Sequence, residues 1–281
     1  MRRADFDGAL VFIPGGSAGI GLAAAKRIAA LGADVAIFAR RPDVLAEAKA
    51  AIESQRRRSA QRVVATVLDV GDAAQTHSVL SAAVAELGTP ELLINCAGRA
   101  LPDYFERVDA AQLDATWRIN FGGAWHATQA ILPHMRRRGS GTVVNVSSLA
   151  GLIGLFGYTD YAASKFALVG FSEALRNEVA RDGIRVAVLC PPDTQTPGFE
   201  HENRTKPPET QAASAGASIL TAEQVADALL DGLARRRFLI IPGREARFGY
   251  FMKRFFPGIV ARVLDRQVAR ATPDQRRKTA D

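Results

Sequence analysis

Short apolar runs, rich in branched and aromatic residues, alternate along the chain with longer stretches of helical character. Each run has the length of a buried strand, and each is followed by enough chain for a crossover helix. This alternation predicts an α/β domain with a doubly wound parallel sheet, whose right-handed crossovers bring the carboxyl ends of the strands to one edge. The seven predicted strands are residues 10–13, 35–38, 63–68, 92–94, 142–146, 186–189 and 238–241.

The length of 281 residues, 48% of them hydrophobic, is enough for one well-buried domain of this kind. We assign residues 1–242 to this Rossmann-type catalytic domain and residues 243–281 to a basic C-terminal extension. The Pro-rich stretch 191–208 predicts a long loop after the sixth strand, and loops of that length are usually lids or binding segments. We therefore expect a lid over about residues 193–220.

The net charge of +7 is unevenly distributed, because residues 235–281 hold 13 lysines and arginines against 4 acids. This excess favours an anionic partner, either a membrane surface or a nucleic acid. Cys96 and Cys190 follow predicted strands without any partner spacing, which favours reduced, buried thiols in a cytoplasmic protein over a disulfide or a metal site. The N-terminus lacks the apolar core of a signal peptide, and no apolar run reaches the roughly 18 residues of a spanning helix.

A glycine-rich segment, residues 15–21, lies between the first predicted strand and the next helix. Glycines let the backbone turn sharply there, and the free N–H groups at the start of the helix favour the pyrophosphate of a dinucleotide. A glycine-rich turn can also be purely structural. We predict cofactor contacts from most of the segment, namely Gly15, Ser17, Ala18, Gly19, Ile20 and Gly21.

Arg40 and Arg41 lie about 20 residues beyond Gly19, where an NAD-binding fold usually presents an acid to the ribose hydroxyls. Two guanidiniums and no carboxylate suit the 2′-phosphate of NADPH. We therefore predict NADPH as the cofactor, with Arg40 as the main contact. The alternative is that both arginines end a strand and face only water.

Two polar turns follow the third and fourth predicted strands at the same sheet edge. The first holds Asp69 and Val70, and the second holds Asn95, Ala97 and Gly98. We expect them to border the adenine and the adjoining ribose of the cofactor. Asp and Asn also favour turns for local reasons, because their side chains bond the neighbouring backbone.

Tyr161 and Lys165 carry the sharpest chemical signal. If residues 159–179 form a helix, the two side chains share one face, where the ammonium can stabilise a phenolate and lower the tyrosine pKa from about 10. Such a tyrosine can serve as a general acid toward a carbonyl oxygen. Ser148, at the end of the preceding strand, can hydrogen-bond the same oxygen as negative charge develops. The pair alone is commonplace on helices, so its weight comes from the accompanying glycine-rich segment.

Together these motifs resemble the short-chain dehydrogenase/reductase family over about residues 9–242. The resemblance implies a ketone reductase with a catalytic tetrad of Asn120, Ser148, Tyr161 and Lys165, in which Ser148 is preferred over Ser147 by its spacing from Tyr161. In the family the lysine also bonds the nicotinamide ribose, and the asparagine holds a water that supplies protons to the tyrosine. Members commonly pair as homodimers or tetramers, so we expect a homo-oligomer.

The loop after the sixth predicted strand narrows this resemblance. Pro192 replaces the usual glycine after Pro191, and Pro14 stands where the family usually has Thr before the glycine-rich segment. The run Pro-Pro-Asp-Thr-Gln-Thr-Pro-Gly-Phe is similar to the loop of 3-ketodihydrosphingosine reductases, and it adds Pro191, Thr194 and Thr196 to the predicted cofactor contacts. That branch implies NADPH-dependent reduction of the 3-ketone of a long-chain sphingoid base in sphingolipid synthesis.

Two other classes of function stay open. A soluble reductase of another ketone, such as a 3-oxoacyl thioester or a hydroxysteroid, would share the catalytic residues and differ only in its lid and tail. A non-enzymatic NADPH-sensing or nucleic-acid-binding protein would use the same fold, with the basic tail as a phosphate-binding arm. No recognition motif for nucleic acid accompanies that tail, so we expect no nucleic-acid partner.

Residues 244–270 interleave aromatic and aliphatic side chains with arginines at helical spacing. Pro257 and Gly258 should divide this stretch into two amphipathic pieces. Basic flanks and apolar faces suit helices in a membrane interface, so we expect a cytoplasmic enzyme held peripherally at the cytoplasmic membrane face. The alternative is that the apolar face packs on the domain or on another subunit.

Overall fold

The computed structural model describes residues 1–214 and 218–271, and it contains one sheet of seven parallel strands. The strand order is β3-β2-β1-β4-β5-β6-β9, so the doubly wound parallel sheet predicted from the sequence is confirmed. Observed and predicted bounds differ by at most two residues, and several of them coincide. The strands are β1 (Leu10–Pro14), β2 (Asp34–Ala39), β3 (Val63–Val67), β4 (Leu92–Asn95), β5 (Gly141–Val146), β6 (Ile184–Leu189) and β9 (Leu239–Ile240).

Helices cover both faces of the sheet, so every strand between the edges is buried on two sides. This explains why the strand sequences are nearly continuous apolar runs. The helices of the sheet layers are α1 (Gly19–Ala30), α2 (Pro42–Glu53), α3 (Ala73–Leu87), α4 (Ala110–Trp117), α5 (Gly123–Arg138), α6 (Thr159–Glu178) and α9 (Ala222–Ala234). Helix α6 covers all but one residue of the helix predicted around Tyr161.

The core consists of two apolar layers, one on each side of the sheet. Side chains alternate along β1, so Val11 and Ile13 join the layer under α1, α2 and α9. Leu10 and Phe12 join the opposite layer, under α3, α5 and α6. The carboxyl ends of the strands are thereby held rigidly at one edge, where the chain order reverses between β1 and β4.

The segment after β6 is more ordered than the sequence predicts. Residues 191–208 were expected to form a loop, but they contain β7 (Thr194–Gln195) and α7 (Pro197–Glu202), and α8 (Pro208–Ser214) begins at their end. Strand β7 pairs in parallel with β8 (Leu220–Thr221). The Thr196 hydroxyl caps α7 by accepting from the Phe199 N–H at 3.1 Å. Residues 215–217 of the predicted lid lie outside the described residues.

The C-terminal extension forms two helices, α10 (Arg244–Phe255) and α11 (Pro257–Ala271), so the predicted break at Pro257 is confirmed. Proline is favoured at the first position of a helix and cannot continue a preceding one. Tyr250 and Leu264 pack on a small apolar cluster that includes Leu152 and Ile153. Over the described residues no helix is long and apolar enough to cross a bilayer. Residues 272–281 of the predicted extension lie outside that range.

Candidate active site

A cleft of about 400 Å³ opens at the carboxyl edge of the sheet, beside the reversal of chain order. One wall, the glycine-loop wall, consists of Gly15, residues 17–20 and residues 96–100. A second wall, the lid wall, consists of residues 191–194 and 196–199 with Tyr158 and Glu202. Ser148, Tyr161 and Lys165 also line this cleft, so the structure brings three of the four predicted catalytic residues together there.

The glycine-loop wall is shaped by backbone that leaves no room for side chains. Gly15 adopts a φ of 83°, and a Cβ there would collide with the backbone nitrogen of Ala97. A Cβ on Gly21 would collide with the carbonyl oxygen of Gly15, so Gly21 lies behind the loop and not in the cleft. The loop can therefore approach a ligand closely with its own backbone.

The start of α1 offers free backbone donors to the cleft. Ala18 precedes the helix in an extended conformation and provides no side-chain cap for its first N–H groups. Such a helix start favours an anion. Ser17, Ala18, Gly19 and Ile20 all line the cleft beside these donors, as the sequence predicts for a pyrophosphate site.

Pro14 does not loosen this turn. Its carbonyl accepts from the Cys96 N–H at 2.9 Å, while the Gly15 N–H donates to the Phe38 carbonyl at 2.8 Å. The backbone on either side of the proline is thus tied to β4 and to β2. Although Pro14 has no N–H, the turn keeps its hydrogen bonds on both of these sides.

The far end of the cleft is lined by Arg40 and Arg41 after β2 and by Asp69 and Val70 after β3. Both arginines are exposed, and Arg41 also precedes α2 at its N-terminal end. The Asp69 carboxylate accepts from the Gly71 N–H at 3.0 Å and thereby stabilises its own turn. The expected grouping of these four residues at one edge is observed.

Asn95 is placed differently from the other predicted cofactor residues. Its side chain is buried in the core, where its amide donates to Asn145 at 2.8 Å and to Thr128 at 3.1 Å, and it does not line the cleft. An alternating strand turns Asn95 away from the edge that Ala97 and Gly98 reach. Asn95 therefore ties β4 to β5 and α5.

The two cysteines are free thiols, as predicted. Cys96 lines the cleft directly after β4, and Cys190 is buried directly after β6. Burial raises the pKa of Cys96 to about 11 and that of Cys190 to about 12. Both thiols therefore stay protonated and weakly nucleophilic at neutral pH.

Ser148 and Ser147 separate into a cleft residue and a core residue. The Ser147 hydroxyl is buried and donates to the Lys165 carbonyl at 2.9 Å. Ser148 lines the cleft, where its hydroxyl hydrogen-bonds the Tyr161 side chain. This geometry supports the choice of Ser148 as the catalytic serine.

Tyr161 and Lys165 lie one helical turn apart on α6, as predicted, but their electrostatics differ from the expectation. The Lys165 ammonium donates to the Val146 carbonyl at 2.9 Å and lies 5.7 Å from the centre of the Tyr161 ring. Burial raises the pKa of Tyr161, and the hydrogen bond from Ser148 only partly opposes this. The tyrosine is thus held as a neutral acid, the form that donates a proton.

Burial also lowers the pKa of Lys165 to about 8, while the nearby thiols of Cys96 and Cys190 oppose the shift. A desolvated ammonium is harder to keep charged than one in water. Lys165 therefore titrates near the physiological range and not near 10.5.

Asn120 lies behind the cleft, in a π-helical turn over Arg118–Gly122 that joins α4 to α5. Its side-chain oxygen accepts from the Arg99 N–H at 2.8 Å, and its amide donates to the Ser164 hydroxyl at 3.0 Å. A Cβ on Gly98 would stand 3.4 Å from this oxygen and 3.3 Å from Lys165 Nζ. Asn120 is therefore near Lys165, as a member of the predicted tetrad should be.

The predicted contacts Pro191, Thr194 and Thr196 all line the lid wall. The Pro191 carbonyl accepts from the Leu149 N–H at 2.8 Å, and the Thr194 hydroxyl donates to the Pro192 carbonyl at 2.8 Å. A Cβ built on Gly19 would come within 3.0 Å of the Thr196 side chain, so the lid wall closes against the start of α1.

A polar cluster of the lid wall was not predicted. The Tyr158 hydroxyl donates to the Glu202 carboxylate, which also pairs with the buried ammonium of Lys206 at 3.0 Å. Lys206 lies 3.9 Å from the Asp193 carboxylate and stacks over the Phe199 ring at 4.2 Å. The spacing of Glu202 and Lys206 is the one sequence signal that could have indicated it, because charges four apart pair on helices.

Asp160 is a second residue that the sequence did not single out. Its buried carboxylate accepts from the Thr116 hydroxyl at 2.8 Å and from the Tyr161 N–H at 2.8 Å. It ties the start of α6 to α4 and so fixes the position of Tyr161. An acid in the first turn of a helix is commonplace, so only its burial reveals this role.

The cleft as a whole fits a nicotinamide dinucleotide. It has a backbone cradle with free helix donors for the pyrophosphate, two guanidiniums at one end, and a serine–tyrosine–lysine group at the other.

Residues 9–207 match the sequence model of the short chain dehydrogenase family, so the chain belongs to this family. It is therefore an oxidoreductase that uses a nicotinamide cofactor. The chain also shares its fold with a short chain dehydrogenase/reductase from Burkholderia phymatum solved in complex with NAD, with a TM-score of 0.79 at 24% identity over 90% of this chain and 95% of that one.

The most similar relatives point to one branch of the family. The chain is 40% identical over 232 residues to 3-ketodihydrosphingosine reductase of Bos taurus, which covers 82% of this chain and 70% of that protein. It is also 40% identical over 233 residues to 3-dehydrosphinganine reductase of Danio rerio, covering 83% and 70%.

Proposed function

We propose that this protein reduces the 3-ketone of a long-chain sphingoid base, converting 3-ketodihydrosphingosine to dihydrosphingosine with NADPH. The observation that carries the proposal is the Ser148–Tyr161–Lys165 group in the cleft of a chain that is 40% identical to 3-ketodihydrosphingosine reductases over most of its length. The reaction class follows from the group, and the substrate class from the relatives.

The chain's own residues account for the proton transfer and for the stabilisation of the developing charge. A ketone oxygen at the mouth of this group accepts hydrogen bonds from the Ser148 and Tyr161 hydroxyls. The bound nicotinamide supplies the hydride. As negative charge develops on the ketone oxygen, Tyr161 donates its proton, and the Lys165 ammonium stabilises the phenolate left behind. The raised pKa of Tyr161 keeps that proton in place until the ketone oxygen becomes basic enough to take it.

The test of the reaction is NADPH oxidation with 3-ketodihydrosphingosine in detergent micelles. The wild type should turn over this ketone, and Tyr161→Phe should not. A short-chain 3-oxoacyl thioester is the competing substrate. Turnover of the thioester alone would move the protein to the class of soluble reductases of other ketones. Tight NADPH binding without turnover of either would indicate a cofactor-sensing protein.

The preference for NADPH is supported by Arg40 and Arg41, which line the cleft where an NAD-binding fold usually has an acid. Hydrogen bonds to a charged phosphate contribute about 1.5–3 kcal/mol, so we expect Arg40→Ala to lower the ratio of kcat/KM for NADPH over NADH by about 10- to 100-fold. Arg57→Ala is the matched control, since Arg57 is exposed in the turn after α2 and does not line the cleft. A wild type that prefers NADH would overturn the assignment.

We also propose that α10 and α11 rest on an anionic membrane surface on the cytoplasmic side. The two helices and Phe256 between them carry six exposed apolar side chains beside basic ones, which suits an interfacial helix pair. The exposed fraction reaches 65% at Phe248 and 60% at Phe255. The apolar set is Phe248, Phe251, Phe255, Phe256, Ile259 and Val263, and the basic set is Arg244, Arg247, Lys253, Arg254, Arg262, Arg266 and Arg270.

The position of this surface favours a lipid substrate. Leu149 and Leu155 line the cleft, and both pack against the apolar cluster that Tyr250 and Leu264 join from the C-terminal helices. The same apolar cluster thus contacts both the cleft and the proposed membrane-facing helices, which brings the cleft close to the proposed membrane surface.

Flotation with anionic and with neutral vesicles tests the membrane proposal. The wild type should float with anionic vesicles, and the double variant Phe251→Glu, Phe255→Glu should stay soluble. Val67→Glu is the control, because Val67 is a 46% exposed apolar residue on β3, at the opposite edge of the sheet from β9. Equal soluble fractions for wild type and double variant would remove the proposal.

We propose a homodimer or tetramer as the working state. An exposed aromatic patch supports it, formed by Trp117 and Trp125 beside Phe121, with Phe171 of α6 packed against Phe121 and Trp125. A protein surface rarely leaves such a patch uncovered. Sedimentation of the wild type and of Trp125→Glu tests this, since a monomeric wild type would refute it.

A further inference from the structure

The lid wall places two carboxylates and one ammonium beside the catalytic tyrosine. Asp193 and Glu202 both line the cleft that contains Ser148 and Tyr161. The rings of Tyr158 and Tyr161 lie 5.6 Å apart, and the Tyr158 hydroxyl donates to Glu202. The Tyr158 ring thus separates the Glu202 carboxylate from Tyr161, and Asp193 lines the same cleft.

Within the lid wall, the two carboxylates share one lysine. Lys206 pairs closely with Glu202, at 3.0 Å, but only loosely with Asp193, at 3.9 Å. The Lys206 side chain is 3% exposed and so cannot turn away to solvent, whereas Asp193 is 29% exposed. One ammonium therefore faces two carboxylates, and its single charge cannot balance both. Other cations also line the cleft, among them Arg99 on the glycine-loop wall and Lys165 one helical turn beyond Tyr161.

The charges of these carboxylates reach the catalytic tyrosine. Burial is the main cause that raises the pKa of Tyr161, and the negative charges of Glu202 and Asp193 raise it further. The same two carboxylates raise the pKa of Tyr158, again after burial. The two carboxylates therefore favour a cation on the lid-wall side of the reacting carbonyl.

A sphingoid 3-ketone has the matching chemistry, because it carries a protonated amine on the carbon adjacent to the carbonyl. We propose that Asp193 and Glu202 bind the ammonium group of a 2-amino ketone and so determine the specificity of the enzyme, with Tyr158 and Lys206 holding Glu202 in place. The inference rests on the proposed function and adds to it the residues that select the substrate. The same carboxylates would repel thioesters on phosphate-bearing carriers, because those carriers are anionic.

The experiment compares kcat/KM for 3-ketodihydrosphingosine with kcat/KM for a 1-hydroxy-3-ketone of the same length that lacks the amine. In the wild type the ratio should favour the amino ketone. Asp193→Asn and Glu202→Gln should each lower the ratio by at least about tenfold, because a hydrogen-bonded charge pair is lost. Glu200→Gln, on the exposed side of the same helix, should keep the wild-type ratio. NADPH binding measured by fluorescence verifies that each variant is folded.

A second measurement needs no variant. A long-chain 2-amino alcohol should inhibit the wild type at least about tenfold more strongly than the same alcohol without the amine. Turnover of the amino ketone with an unchanged ratio in both carboxylate variants, or equal inhibition by the two alcohols, would overturn this inference alone. Absence of wild-type turnover with either ketone would overturn the proposed function, and this inference with it.

Discussion

The two walls of the cleft differ in what they present to a ligand: backbone on the glycine-loop wall and side chains on the lid wall. On the glycine-loop wall the backbone itself forms the surface, and a Cβ at Gly15 or Gly21 would collide with neighbouring main-chain atoms. The lid wall presents charged side chains, above all Asp193 and Glu202, and Lys206 is buried beside them. A side chain added at these glycines would displace the backbone of the first wall, while single substitutions at the carboxylates change the charge of the second. The glycine-loop wall thus suits the pyrophosphate that both nicotinamide dinucleotides share, and the substrate selection that we propose depends on the charges of the lid wall.

The largest expected effect is that of replacing Tyr161, which lines the cleft between the two walls. Tyr161→Phe removes the proton donor and should lower kcat by about 10²- to 10⁴-fold, the usual contribution of a general acid. Tyr158→Phe is the matched comparison, because its ring is adjacent but its hydroxyl serves Glu202. It should cost much less in kcat and mainly raise KM for the ketone. Stopped-flow NADPH oxidation measures both, and similar losses of kcat would contradict the assigned roles.

A change to the glycine-loop wall comes next. Gly21→Ala forces a Cβ against the Gly15 carbonyl, and overpacking of this kind costs about 1–3 kcal/mol. We expect a lower Tm and weaker NADPH binding, measured by thermal unfolding and by fluorescence titration. Gly170→Ala is the control, since nothing lies within 4 Å of its Cβ position on α6 and alanine favours helix. Equal Tm values for the two variants would show that the loop is not tightly packed.

The pH dependence reports on Lys165. Its pKa is lowered by burial to about 8, so the native lysine loses its charge well below the ordinary value of 10.5. Since kcat/KM reports the free enzyme, it should fall about tenfold per pH unit above about pH 8. A profile that stays flat to pH 10 would show that the ammonium remains charged, contrary to the effect of burial.

Much of the fold and of the glycine-loop wall was predictable from local sequence. The alternation of apolar runs sets the seven strands, and the four-residue spacing of Tyr161 and Lys165 places both on one face of α6. The break before Pro257 follows from proline itself. These features depend on neighbours in sequence, so a single sequence contains the information for them.

The lid wall was less predictable because it depends on contacts between distant segments. Residues 191–208 look like loop by composition, yet β7 is stabilised by pairing with β8, more than twenty residues away. The direction of the Tyr161 pKa shift likewise depends on burial that no local pattern shows. Asn95 was assigned to the cleft by its place in a turn, but its hydrogen bonds to Asn145 and Thr128 keep its side chain in the core.

The smallest expected effect is at Thr196, where the two walls meet. Its hydroxyl caps α7, the helix that carries Glu202, and its side chain lies against Gly19. Loss of a cap costs about 1 kcal/mol, so Thr196→Ala should raise KM for the ketone roughly fivefold by fraying α7. Thr196→Ser keeps the hydroxyl and should keep KM near the wild-type value. If alanine and serine raise KM equally, the methyl contact with Gly19 matters and the cap does not, and the lid wall would then be positioned by packing on the glycine loop.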